Sequence, residues 1–460
     1  MNGPNSGVTD VSLFCYADGE LLVCSLDTED KSVSRRIDLP GNPNKLVYSE
    51  HLGSLIVSYS VAPNQSLQTP LDVTRKSYLE FVDPDCQTPV AAYNEERASQ
   101  GLIPWRPSGS PGEKVTCIFD WMPEKDGNAY HLIAIGTSIP TPHDPREHKG
   151  RLVLLQAYRH TYFPDKIICA EKHMRVCRRP IHAMAAFADS LIVASGNSFL
   201  PIASRNSQVE WVQTITATLP SPAVTMTVHN NMIYATTARH SLLTYKIEEG
   251  DILPIDSDTS ARDGLSHSFV TGLEGQPNLT FVSTRGGAVR AFSDADELSL
   301  PMPRQTANLP VSILRLVQGR KSSSSLATTK PIYGFTINGA VYRFASLSSD
   351  EWRLLSSLVL LCMRDDSICP SLSNRSRFLT ASGNFEGNKH VDGSILVRLL
   401  SRGPDYLKDM LDRCGRGECR YLDPSIAESL KDAAADLIGP SENYARDIFA
   451  WVWNVLRVEI

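Results

Sequence analysis

Along the first three quarters of the chain, apolar residues come in short runs of about four to eight, separated by Gly, Asn, Asp or Pro. Residues 11–16 form one run, Ala17-Asp18-Gly19-Glu20 follows, and 21–26 form the next. An Asp-Gly between two apolar runs is a strong hairpin signal. Comparable runs lie at 45–49, 55–60, 78–82, 115–120, 131–137, 151–158, 181–186, 190–196, 223–229, 232–237, 241–247, 269–273, 279–283, 288–292, 312–318, 332–336 and 340–345. No stretch with helical periodicity interrupts them. A sandwich rarely uses so many strands, and a barrel of this size normally sits in a membrane. Radial repetition is the remaining way to protect strand edges. Residues 1–345 divided over seven blades give roughly 49 residues per blade, within the usual repeat range. The pattern predicts an all-β seven-bladed β-propeller, although no Trp-Asp dipeptide marks its repeats. Loops rich in Pro, Gly or Ser are expected at 60–76, 98–114, 139–150 and 319–330.

The pattern changes at Ser346, where a small all-α C-terminal domain, residues 346–460, is expected. Ser348-Ser349-Asp350-Glu351 supplies a helix start. Trp352, Leu355, Val359 and Cys362 then share one helical face, which makes Trp352 a predicted core residue. A second helix opens at Asp392-Gly393 and ends at Gly403-Pro404, and a third follows from Asp405. A fourth starts after Asp423-Pro424 and stops at Gly439-Pro440, and the last covers 442–458.

The formal net charge is −6, so no overall basic field directs the chain to nucleic acid. Ten cysteines are scattered without a CxxC, as in a reducing compartment. Neither a secretory leader nor an apolar run of membrane-spanning length is read from the sequence. The expected setting is the cytosol or the nucleus.

Three blocks resemble one family. They are HLIAIGTSIP from His131 with KGRLVLLQ from Lys149, PIYGFTINGAVYRFASL from Pro331, and HVDGSILVRLL from His390. In these the chain resembles the C-terminal region shared by the damaged-DNA-binding large subunit and the cleavage and polyadenylation specificity factor A subunit. Val391, Asp392 and Gly393 stand at the family's helix start. The resemblance implies the third of three propellers, plus the helical domain. It reaches over nearly all of the chain but is thinnest in the first 110 residues. In the damaged-DNA-binding relative the cullin docks on the second propeller, which the resemblance does not reach, so an adaptor role in ubiquitin ligation is not carried over whole. A fragment of a longer product and a reduced paralogue are both compatible with this.

Candidate chemistry is sparse. Gly319-Arg320-Lys321-Ser322 lacks the glycines of a phosphate loop. His143 and His148 have no evident third ligand, and neither do Cys414 and Cys419. No nucleophile elbow occurs. The most basic stretch carries Lys172, Arg175, Arg178 and Arg179, which could meet phosphates or simply guard a strand edge. Trp451 and Trp453, two apart on a helix, cannot face one core. Trp453 is expected against the propeller or in a partner's groove. The sequence therefore predicts a non-catalytic scaffold for protein–protein interaction, without cofactor, metal, membrane contact or small-molecule substrate. The family resemblance implies the nucleus, with the cytoplasm as the alternative, and DNA repair and ubiquitin ligation as the context. The same resemblance implies the alternative, a nucleic-acid-binding subunit of an mRNA-processing complex that handles pre-mRNA cleavage, polyadenylation or splicing.

Overall fold

The structure, a computed structural model, describes residues 11–17, 20–26, 32–61, 76–94, 112–125, 128–141, 147–205, 208–211, 217–248, 251–258, 260–270, 278–293, 303–319, 331–363, 365, 367–369, 390–416, 425–441 and 443–456. They form a mostly β architecture of several sheets followed by helices. The expected loops at 60–76, 98–114 and 319–330 lie largely outside the described residues, whereas the ends of 139–150 are a correction: they continue the β ladder, with Ile139 paired to Lys149 and Pro140 to His148.

The strands are ordered as antiparallel meanders. The first holds β1 (Val11–Ala17), β2 (Glu20–Leu26) and β3 (Ser32–Ile37). The second holds β4 (Asn42–Ser49), β5 (Ser54–Val61), β6 (Lys76–Asp83) and β7 (Thr88–Asn94). The third starts with β8 (Lys114–Trp121). After a small hairpin, β9 (Glu124–Lys125) and β10 (Asn128–Ala129), it continues through β11 (Leu132–Pro140), β12 (His148–Arg159) and β13 (Lys166–Cys177). The fourth is β14 (Ile181–Phe187), β15 (Ser190–Ser195), β16 (Ser198–Arg205) and β17 (Gln208–Trp211). The fifth is β18 (Ala223–His229), β19 (Met232–Thr237), β20 (Leu242–Glu248) and β21 (Asp251–Ser257). The sixth is β22 (Gly264–Val270), β23 (Leu279–Thr284), β24 (Ala288–Ser293) and β25 (Pro303–Asn308), and the last is β26 (Ile313–Gln318), β27 (Ile332–Thr336) and β28 (Val341–Phe344).

Two features depart from seven separate blades. The second and third meanders merge into one eight-stranded sheet, because β13 pairs in parallel with β7 from Lys166↔Ala91 to Cys169↔Asn94. Its end strands β4 and β8 also lie together, so this sheet nearly closes on itself. Among the described residues no ladder joins the first meander to the last. Strand pairing therefore establishes the multi-sheet architecture and leaves the seven-bladed closure unestablished.

Each hydrophobic cluster in the β region is shared by consecutive meanders. Ile37 meets Leu55, Val57 and Val82; Ile56 and Phe81 meet Ile133 and Leu155; Trp121 and Leu152 meet Ile181 and Leu191. Phe199 meets Ile233 and Tyr245, Tyr234 meets Val282 and Phe292, and Phe281 meets Ile313 and Ile332. Second strands are consequently buried on both faces, and β5 is buried at every residue from Ser54 to Ser60. The same packing explains the continuous apolar runs that made second strands easy to read.

The helices are α1 (Ser349–Met363), α2 (Gly393–Leu400), α3 (Pro404–Gly415), α4 (Ser425–Ile438) and α5 (Tyr444–Leu456). They enclose one core that includes Leu355, Leu358, Leu396, Leu407, Met410, Leu430 and Ile448. Asp392 caps α2, its carboxylate accepting from the Ser394 amide at 2.9 Å. Gly403, at φ 90°, takes the left-handed turn before Pro404, and Gly439, at φ 100°, takes the one after α4. Trp352 is a correction. The buried face of α1 is Leu354, Leu355, Leu358, Leu361 and Cys362, and Trp352 is only half-buried at its edge. No helix among the described residues is long and apolar enough to cross a membrane.

Candidate functional site

Ser49, Asp120 and His131 gather the three residue types of an acyl-transfer triad. In such a triad hydroxyl and carboxylate use opposite ring nitrogens of the histidine. Here the Asp120 carboxylate and the Ser49 hydroxyl (3.2 Å) both face Nε2, while Nδ1 lies 3.0 Å from the Ala157 carbonyl. Ser49 is fully buried. Burial lowers the His131 pKa, but the Asp120 hydrogen bond, the Ala157 carbonyl and the Asp120 charge outweigh it, so the net shift is upward. His51 stacks on the ring at 4.4 Å between centroids. The histidine thus ties Ser49 of β4, Asp120 of β8 and the Ala157 carbonyl of β12 together just before β11, in an arrangement that lacks the opposed partners of a triad.

His267 is a neutral counterpart. Thr227 Oγ1 lies 2.7 Å from Nε2, while Thr225 Oγ1 (3.0 Å) and Thr236 Oγ1 (2.8 Å) face Nδ1. Burial, and then the Arg315 charge, push its pKa down to about 3. Burial likewise pushes the Cys117 and Cys169 thiols up to about 12, away from the reactive thiolate. Among the described residues no three His, Cys, Asp or Glu side chains converge as metal ligands. His143 and Cys419 lie outside the described residues, His148 engages Ser138 at 3.0 Å, and Cys414 is buried in the helical core.

A repeated irregularity marks the first strand of six meanders. The ladder to the second strand skips one residue each time: Asn44, Thr116, His182, Val224, Leu265 and Leu314. Each skip bends the strand and adds local twist. First strands also touch their successors, β4 on β8, β8 on β14, β14 on β18, β18 on β22 and β22 on β26. Thr116 Oγ1 donates to the Ile181 carbonyl, and Ser266 Oγ accepts from the Leu316 amide at 3.1 Å. Glycine permits the close approach: a Cβ on Gly136 would lie 2.6 Å from both Cys117 Sγ and Ile181 Cγ2.

Lys45 and Arg315 both follow a skipped residue, in β4 and β26. Both are reached by water, yet burial is the largest influence lowering each pKa. Lys45 senses the charge of Arg315, and His182 senses that of Lys45. The sequence reading missed all three. Their signal was a lone basic or imidazole side chain inside an apolar first strand, as in NKLVYS, PIHAMA and ILRLVQ.

The basic stretch singled out from sequence belongs to β13 and the bend after it. The β12–β13 ladder skips Lys172, and pairing with β7 stops at Cys169. Lys172, Arg178 and Arg179 are exposed and Arg175 is half-buried, with Met174 (49% exposed) and Val176 (61%) between them. The four cations thus share a strand edge with two exposed apolar side chains. Trp451 packs against the helical core, whereas Trp453 is 54% exposed at the end of α5. Val391 packs against the same core, Asp392 is the α2 cap, and a Cβ on Gly393 would lie 3.4 Å from Leu456.

The chain matches no family model and no curated protein.

Proposed function

We propose that the meanders form a seven-bladed β-propeller with the helical domain attached to its last blade, and that the chain works as a non-catalytic scaffold for protein partners in a nuclear complex. The six equivalent skips, and the shared core at each successive junction, support the propeller reading. The Arg315 charge of the last meander helps to lower the Lys45 pKa in the second, behind burial, and this supports closure. Arg343 of β28 donates to the Val455 carbonyl of α5 at 3.2 Å, joining the two parts.

The scaffold reading is carried by the outer edge of β13. Met174 and Val176 stand exposed among basic residues on a strand that extends beyond its partner β7. Exposed apolar groups rimmed by charge are what an interaction surface offers. Met174→Asp with Val176→Asp is expected to remove the partners that the wild-type chain retains from nuclear extract. Partners retained equally by both chains would count against this edge.

Direct nucleic-acid binding is the second reading, favoured by the same four cations. Filter binding across salt tests it. Contacts from Lys172, Arg175, Arg178 and Arg179 predict a log–log slope of about −3 to −4. A flat response removes this reading. The family resemblance supports DNA repair or ubiquitin ligation as the context of the scaffold reading, and mRNA processing as that of the nucleic-acid reading.

A further inference from the structure

We propose that one end of the eight-stranded sheet is an aromatic, acidic face that binds an arginine-bearing segment of a protein partner. It is separate from the basic β13 edge and independent of ring closure. Register puts the β4–β5 turn, the start of β11 and the β12–β13 hairpin at this end. Side chains tie the three together. Arg159, the last residue of β12, donates to the Leu52 carbonyl and to Ser54 Oγ, both at 2.8 Å. His131, just before β11, stacks on His51 of the turn and meets the Ala157 carbonyl of β12. The Tyr130 amide donates to the Pro123 carbonyl at 2.9 Å, which brings in the segment after β8.

The hairpin holds its aromatic tip in place. His160 Nδ1 accepts from the Tyr162 amide at 3.1 Å and the Phe163 amide at 3.2 Å. Arg159 Nη1 donates to the Pro164 carbonyl at 2.7 Å. Tyr162 is nonetheless 83% exposed, and Phe163, Tyr130 and Met122 are exposed as well. Rings held in solvent on a pinned turn lose little entropy when a partner covers them, and such anchors carry much of an interface's energy.

Charge selects the partner. Glu50, Glu124 and Asp165 are exposed at the same end. The neighbouring cations are engaged, Arg159 on the three groups named and Lys166 over the Phe163 ring at 4.5 Å. An aromatic face flanked by carboxylates suits a cation. A guanidinium stacks flat on a tyrosine ring while its fork pairs with a carboxylate. An ammonium is more strongly hydrated and has no plane to stack, so arginine is favoured over lysine. An acidic segment meets repulsion here.

The test is fluorescence anisotropy of the full chain with a labelled Arg-Gly repeat peptide. Lys-Gly and Glu-Gly peptides of equal length are the comparisons. Arg-Gly is expected to bind more tightly than Lys-Gly, and Glu-Gly not at all. Tyr162→Ala with Phe163→Ala changes no charge and should weaken Arg-Gly binding at least about tenfold, as loss of an anchor does. Tyr162→Ala alone, at a side chain that packs on little, gives the same reading if the double variant melts early. Glu50→Gln with Asp165→Asn keeps the rings and should also weaken binding. Glu248→Gln, which removes an exposed carboxylate of the fifth meander, should leave affinity unchanged. So should Met174→Ala with Val176→Ala at the β13 edge, which separates this face from that one. Equal affinity for Arg-Gly and Lys-Gly, or unchanged affinity in the ring variants, would mean general attraction to an acidic chain and overturn the proposal. Self-association that Tyr162→Ala abolishes would also overturn it, by giving the face to a second copy.

Discussion

Asp120 and His131 form a buried ion pair at the point where the two ends of the eight-stranded sheet come together. Because the net His131 shift is upward, its stabilisation is complete below about pH 6.5, the unfolded value. It is lost as pH rises through the folded pKa. Asp120→Asn removes one partner of this pair and is expected to cost about 3 kcal/mol at pH 6. The gap between wild type and variant should narrow toward alkaline pH in urea titrations. Ser49, His51 and the Ala157 carbonyl also face the ring, and none of them supplies a replacement charge. A gap that widens with pH would refute this pair.

His267 carries the opposite sign. Its folded pKa lies near 3, so its contribution is complete above about pH 6.5 and fades as pH falls toward 3. The charged neighbour Arg315 strengthens this trend. His267→Gln is expected to flatten the acid limb of the stability profile while leaving the alkaline limb in place. Denaturant midpoints measured from pH 7 down to pH 4 check it.

Gly136 tests how closely consecutive meanders approach. Gly136→Ala places a methyl against Cys117 and Ile181 and should cost about 1–3 kcal/mol by overpacking. Gly286→Ala, where a methyl would meet nothing within 4 Å, should change stability by about 0.5 kcal/mol or less. Equal effects in thermal melts would contradict the junction described.

Asp392 tests the helical domain. Asp392→Ala is expected to lose about 1 kcal/mol, and Asp392→Ser far less, because serine also caps. Circular dichroism at 222 nm follows the helical transition directly.

Much of this architecture is legible in the amino-acid sequence, in a systematic way. Second strands announce themselves, as in 232–237, which is buried at every residue after Met232, and first strands such as 223–229 are read from alternating apolar residues although only Ala223 and Met226 are buried. Outer strands do not. Ser32–Ile37, Thr88–Asn94, Lys166–Cys177, Gln208–Trp211, Asp251–Ser257 and Pro303–Asn308 were not read as strands. Pairing on a meander's periphery demands little hydrophobicity, and Thr88–Asn94 buries only Val90. Helix ends were legible through Asp392, Gly403 and Gly439, whose roles are local. Trp352 misled, since large aromatic side chains are counted as core whichever edge of the stripe they occupy. The cations of the first strands were hidden for a different reason. Lys45, His182 and Arg315 are far apart in the chain, and no local pattern shows that the Arg315 charge acts on Lys45 or the Lys45 charge on His182.

A crystal structure of the full chain tests the central claim of a closed seven-bladed propeller. The account predicts seven blades around one channel, with β1 lying between β4 and β26 and with Lys45 and Arg315 both facing the channel. An open arc, or a first meander docked elsewhere so that Lys45 and Arg315 point to bulk solvent on separate surfaces, would contradict it.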